Sequence, residues 1–206
     1  MVRNKKNFII RWVLHTYVMR TIKRHLHELI FNQVETDPSK SILLLANHFS
    51  YWDSLILYIV NRKLFKRKYH VMVREDTTVK LQYLKYGGAF SVNKKSRDML
   101  QSLDYAAQLL QSPQNMVLIF PQGKLYSNFV NDVHFEKGIT KIMAKAEGKF
   151  QLIFVATFIQ YMRSKKPNVT IYLENAASAD KTLDELKTAY QQFFDRVKKE
   201  QTEIVI

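Results

Sequence analysis

The sequence predicts an α/β fold: a single domain with a central, mainly parallel or mixed sheet flanked by helices, led by an N-terminal amphipathic helix. Three observations carry that expectation. Wholly apolar runs such as Ile42-Leu43-Leu44-Leu45-Ala46 and Met116-Val117-Leu118-Ile119-Phe120 read as strands covered on both faces. Stretches of helical length separate such runs, so strands and helices alternate to the end of the chain. At 206 residues, 47% hydrophobic and 13% aromatic, the chain can bury one sizeable core.

In order, residues 8–31 place Ile10, Leu14, Val18, Ile22, Leu26 and Ile30 four apart on one helical stripe, with Arg11, His15, Lys23, Arg24 and His27 largely off it. Residues 1–32 are therefore expected to form a basic amphipathic helix ahead of an α/β domain over 33–206. Charge interrupts the stretch too often for a membrane span or the apolar region of a signal peptide. The stripe suits packing on the domain core. Trp12, Tyr17 and the basic flank Arg3, Lys5 and Lys6 favour instead an anchor lying in a membrane interface.

Asp37-Pro38-Ser39 is a turn, and a strand follows over 41–46. A helix is expected over 55–60, a strand over 69–73, a short helix over 79–86 and, past Gly87-Gly88, a strand over 89–92. Ser96 is placed to cap a helix reaching Leu110, Ser112-Pro113 ends it, and a strand follows over 116–120. The remainder reads as a helix over 138–146, strands over 152–159 and 169–173, and a charged helix over 182–199. Between the first two strands, Asn61-Arg62-Lys63-Leu64-Phe65-Lys66-Arg67-Lys68 is either a solvated loop or a contact for lipid phosphate or an acyl carrier.

Lys and Arg number 32 against 18 Asp and Glu, a net charge of +14 that favours anionic partners: phospholipid headgroups, coenzyme A, an acidic carrier protein or nucleic acid. Nucleic acid ranks below a membrane surface, since the sequence has no zinc-finger spacing, aromatic sheet signature or recognisable helix-turn-helix. With no cysteine, disulfides, thiolate metal sites and cysteine nucleophiles are excluded. His25 and His27, two apart on a helix, face different directions and read as solvated surface, not as metal ligands.

Two loops at strand ends hold the chemistry. The first, Asn47-His48-Phe49-Ser50-Tyr51-Trp52-Asp53, delivers an imidazole and a carboxylate to the crevice where α/β folds bind ligands. His48 reads as a general base and Asp53 as the group that fixes its tautomer. Ser50 reads as a loop hydrogen-bonder, which disfavours a covalent route. A histidine and a carboxylate five apart arise easily by accident in a chain with six histidines, so the pair alone is a weak signal. The second loop, Phe120-Pro121-Gln122-Gly123-Lys124, ends another strand, so the two can meet above one sheet edge.

Taken together, the loops resemble the motifs of the glycerolipid acyltransferases typified by 1-acylglycerol-3-phosphate acyltransferase. NHFSYWD is similar to that family's NHxSxxD. Gly88-Ala89-Phe90-Ser91-Val92-Asn93-Lys94 resembles its second block, Phe120-Pro121-Gln122-Gly123 its FPEG, and Phe135-Glu136-Lys137-Gly138 the F-x-K-G that trails it. Val155-Ala156 falls where a Val-Pro block belongs, so the resemblance runs in order over about residues 40–160.

The resemblance implies acyl transfer from an acyl-CoA or acyl-carrier-protein thioester, as co-substrate, to a lipid hydroxyl, with no metal or redox cofactor. His48 would deprotonate the acceptor and Asp53 polarise His48. Asn47, Ser50 and Gly123 would support the loop and the oxyanion, and Lys94, Gln122, Lys124 and Lys137 would bind the acceptor. It also implies a peripheral or monotopic place on the cytoplasmic face of a membrane. Gln122 stands where the family has glutamate, Lys124-Leu125 where it has Thr-Arg, and Asn93-Lys94 where it has Asp-Arg. The resemblance implies an acceptor of the phospholipid- or glycerolipid-biosynthesis type; because lysine binds phosphate without arginine's bidentate fork, the alternative is a non-phosphate acceptor such as a glycolipid, a pigment or another hydroxyl lipid. A non-catalytic membrane-surface or nucleic-acid-binding protein of the same fold is the remaining reading.

Overall fold

The computed structural model describes residues 2–5, 7–80, 82–92, 98–176 and 182–205. Seven strands are formed by Glu28–Phe31 (β1), Ser41–Ala46 (β2), Lys68–Arg74 (β3), Ala89–Val92 (β4), Asn115–Ile119 (β5), Phe150–Gln160 (β6) and Asn168–Asn175 (β7). They make one sheet in the order β1-β7-β6-β2-β5-β3-β4. Every neighbouring pair is parallel except β6 with β7, so the sheet is mixed, as expected.

Six α-helices, Phe8–His25 (α1), Trp52–Val60 (α2), Glu75–Lys80 (α3), Asp98–Leu109 (α4), Gly138–Ala146 (α5) and Leu183–Thr202 (α6), surround that sheet. The pleat of β2 sends Leu43 and Leu45 to one face, against Leu103 of α4, Ile142 of α5 and Phe193 of α6. Ile42, Leu44 and Ala46 go to the other, against Val18 and Ile22 of α1 and Ile56 of α2. β2 is buried at every position for that reason. Each such leucine contributes roughly 1.5–3 kcal/mol by leaving water.

The N-terminal stretch departs from expectation. α1 stops at His25, Leu26 turns extended (φ −107°, ψ 147°), and Glu28–Phe31 becomes β1, pairing with β7. The stripe of period four runs on through Ile30, yet Ile30 is 44% exposed while Leu29 and Phe31 pack inward. Pairing with the open edge of β7 outweighs a short helical pattern whose last residues are β-branched and aromatic. The upstream stripe packs Val18 and Ile22 on the core, while Phe8, Ile9, Trp12, Val13 and Tyr17 stay exposed.

The helix expected over 79–86 begins earlier, as α3, where Glu75 and Asp76 suit a helix amino terminus, and a 3-10 helix follows over Gln82–Gly87. The basic run contains a π-helical turn, Asn61–Phe65, closed by Lys66 in the left-handed region (φ 56°) and braced by Asn61, whose side chain bonds the Arg67 N–H and C=O. This run leads into the amino end of β3, at the sheet edge opposite the carboxyl ends of β2 and β5.

Residues Val2–Lys5 lie along β4 as a strap. Ser91 N–H donates to the Val2 carbonyl (2.9 Å), and Asn4 joins His70 Nδ1 (2.8 Å) to the Tyr105 hydroxyl (2.5 Å). Burial pushes His70 down to about 4, so it serves the strap as a neutral ring.

Gly88 (φ 103°) passes so close to β3 that an added Cβ would lie 2.2 Å from the Tyr69 carbonyl oxygen, whereas one on Gly148 (φ 69°) would meet nothing within 4 Å. Gly88→Ala is expected to cost about 1–3 kcal/mol or more in urea unfolding and Gly148→Ala only the left-handed penalty of about 1–2 kcal/mol. Equal losses in the two variants would contradict the close approach.

Candidate active site

β2 and β5 are neighbours with Leu45 opposite Ile119, so the loops that follow them leave the sheet side by side. Loop 47–51 turns at once into α2, and the first turn of that helix carries Asp53 back beneath His48. His48 Nδ1 lies 2.8 Å from Asp53 Oδ2. The same oxygen accepts from the N–H groups of Phe49 and Ser50, each at 2.9 Å. A carboxylate only accepts, so the neutral imidazole carries its proton on Nδ1 and keeps the Nε2 lone pair for a substrate. Asp53 is fully buried, whereas the His48 side chain retains 22% exposure, which is what a base facing a cavity needs.

The second loop holds the first from the other side. The His48 N–H donates to Gln122 Oε1 (2.6 Å), and the Tyr126 N–H donates to the His48 carbonyl (3.0 Å). Phe120 lays its ring on the imidazole, with centroids 3.9 Å apart and planes 15° from parallel. Gly123 adopts φ 64° and its N–H closes a turn onto the Phe120 carbonyl (3.1 Å), so the amide of Gly123 itself is spent. The trailing block is tied in as well, because the Glu136 N–H donates to the Pro121 carbonyl (2.9 Å) and Phe135 is buried in the core.

Asn47 uses both ends of its amide on β6, donating to the Thr157 carbonyl (3.0 Å) and accepting from the Thr157 N–H (2.8 Å). It thereby continues the β2 ladder by one side chain. Ser50 Oγ accepts from the Trp52 N–H (3.1 Å) at the start of α2. Both residues support the loop. Gln122, 1% exposed, faces the His48 backbone and not open space.

His48 opens on a cavity of about 470 Å³ whose wall includes Phe120, Gly123 and Lys124 from the second loop, Met72, Val73 and Arg74 from β3, and Asp76 and Thr77 from α3. Lys124 is thus brought to the site, where it also lies 5.2 Å from the Tyr126 ring centroid. Lys137 is exposed and stands outside the wall, and Lys94 lies outside the described residues. Arg74 was not anticipated. It ends β3 with its guanidinium forked onto Asp76 (3.2 and 2.8 Å), and its place in the cavity is set by strand order, which no local pattern announces.

Beneath α1 a smaller cavity of about 80 Å³, walled by Leu14, Val18, Tyr58, Tyr69 and Val71, shares Tyr51, Ser54, Leu55 and Leu84 with the first. Burial pushes Tyr51 up to about 12 and Tyr69 well above the phenol range, so both contribute neutral phenols to a wall that also includes Arg11 and His15. Among the described residues no group of His, Asp and Glu is arranged to hold a metal ion.

Fold and site together define an α/β protein that presents a carboxylate-aligned imidazole to a partly apolar cavity at the carboxyl ends of its strands. The Acyltransferase family model matches residues 21–160, more than half of the chain, and the protein belongs to that family. The matched span includes His48, Asp53, Gln122 and Val155. No curated protein matches the chain.

Replacing Gln122 tests the inter-loop clamp. Gln122→Ala leaves the His48 N–H without its acceptor and is expected to cost about 1–3 kcal/mol of stability. Gln122→Glu keeps an accepting oxygen and is expected to cost less in the same thermal melt. Equal losses would mean that the 2.6 Å bond does not hold the loops together.

Proposed function

We propose that the protein transfers a fatty acyl chain from an acyl-CoA or acyl-carrier-protein thioester to the hydroxyl of a lipid. The single observation that carries this reading is His48, held by Asp53 at 2.8 Å, opening on the cavity of an acyltransferase-family fold. His48 Nε2 takes the acceptor hydroxyl's proton as its oxygen attacks the thioester carbonyl. Asp53 holds the ring and offsets the imidazolium charge. The carbonyl oxygen becomes an oxyanion, for which the backbone amides of Lys124 and Leu125, which line the cavity beside His48, are candidate donors. The carbon–sulfur bond breaks, the imidazolium returns the proton to the thiolate, and an ester and a thiol leave. The step consumes no metal or redox equivalent.

For the acyl tail, the apolar space beneath α1 adjoins the reacting centre through Ser54 and Leu55. For the acceptor, Lys124 offers a point charge to a headgroup, while the fork of Arg74 is already engaged by Asp76. An acceptor other than lysophosphatidate fits that arrangement better than a phosphate monoester clamped by a free arginine. His48→Ala and Asp53→Asn are each expected to lower acyl transfer to a mixed lipid extract by about 10²-fold or more, with melting temperatures kept. Mass spectrometry of the acylated products identifies the acceptor, and transfer that survives His48→Ala unchanged defeats the mechanism.

We further propose that the protein works at a membrane surface, with the outer face of α1 in the interface. Phe8, Ile9 and Trp12 are 84, 71 and 62% exposed there, beside Arg11, Arg20, Lys23 and Arg24, on a chain of net charge +14. Among the described residues no helix is long and apolar enough to cross a membrane. Changing Phe8, Ile9 and Trp12 together to serine removes no core contact and is expected to weaken binding to anionic liposomes about tenfold or more, with the remaining binding lost at high salt. Unaltered liposome binding would assign the interface to another face.

A further inference from the structure

We propose that Phe120 is a positioning residue for His48, fixing the direction of Nε2 and stabilising the ring once it is protonated. The inference rests on the reading of His48 as the base. The bond to Asp53 restrains only Nδ1, and the backbone bonds to Gln122 and Tyr126 restrain only the main chain. Small coupled changes of χ1 and χ2 that keep Nδ1 within reach of Oδ2 remain open to it, and they tilt the ring and shift the direction of Nε2.

The ring of Phe120 removes that freedom by lying against the imidazole face at 3.9 Å and 15°. Phe120 is itself held: its carbonyl accepts the Gly123 N–H, and Pro121 follows, bonded through its carbonyl to Glu136. The second loop thus holds the base at its backbone through Gln122 and at its ring through Phe120. Charge adds a second effect. The face of a phenyl ring is the negative part of its quadrupole, so an imidazolium pressed against it gains an attraction that a neutral imidazole lacks. That attraction grows as the proton arrives from the acceptor, so it favours the transition state over the bound ground state and acts on kcat.

The experiment compares Phe120→Leu, which keeps an apolar wall and removes the aromatic face, with Phe120→Tyr, which keeps the face. The donor is palmitoyl-CoA with a mixed lipid extract as acceptor, and released coenzyme A is read with a thiol reagent, to which a chain without cysteine is silent. Phe120→Leu is expected to lower kcat about tenfold with apparent KM for palmitoyl-CoA within about twofold, and Phe120→Tyr to restore kcat to within about threefold. The His48 imidazole proton signals are expected to lose their ring-current displacement in Phe120→Leu and to keep it in Phe120→Tyr, whatever the activity. A Phe120→Leu enzyme with unchanged kcat, a loss confined to KM, or no rescue by tyrosine overturns the role of Phe120. His48→Ala, run in parallel, separates the cases. If it is inactive while Phe120→Leu is fully active, only the stacking role fails; if it stays active, the base reading fails and the stacking role with it.

Discussion

The parallel pairing of β2 with β5 is the constraint on which the site depends. One strand ends in the histidine loop and the other in the loop that grips it, and the register of Leu45 opposite Ile119 puts both at the same height. A slip of one residue would turn Leu43 and Leu45 from one core to the other, so the two apolar layers that stabilise the sheet also set the position of the imidazole. Asn47 extends the same discipline to β6, where its amide takes the place of one more ladder residue.

Around the imidazole the polar groups fall into two zones. Asp53 is enclosed, with one oxygen gathering three hydrogen bonds and the other, Oδ1, buried without one. Its place in the first turn of α2 puts that charge at the positive end of a helix, which offsets part of the cost of enclosing it. Arg74, Asp76 and Lys124 form the outer zone, open to whatever enters the cavity.

Most of the sheet could be read from local pattern because its central strands are doubly covered and, past a polar first residue, apolar, as in β2 after Ser41 and β5 after Asn115. β1 could not, because Glu-Leu-Ile-Phe is short and prolongs a helical stripe; only the open edge of β7 makes it a strand. The pairing of His48 with Asp53 was legible only from the loops taken together, since a histidine and a carboxylate five apart are a weak signal by themselves. The partners of Gln122 and Arg74 were not. Gln122 meets a backbone N–H brought by another strand, and Arg74 enters the cavity only because β3 lies beside β5. Spacing along a chain carries no information about either. Lys137, by contrast, follows a recognisable block yet points to solvent, where the neighbouring Phe135 and Gly138 are engaged in packing.

The strap formed by Val2–Lys5 bears on how molecules of this protein meet one another. An open sheet exposes unpaired amides along its outermost strands, and those amides recruit strands from neighbouring molecules. On the β4 side, Val2 takes up the Ser91 N–H and Asn4 is moored to His70 and Tyr105. The opposite margin is only four residues long and begins with a charged Glu28. A sheet blunted at both margins resists pairing side by side into fibrils, so a high local concentration of the protein does not turn its own strands into a template.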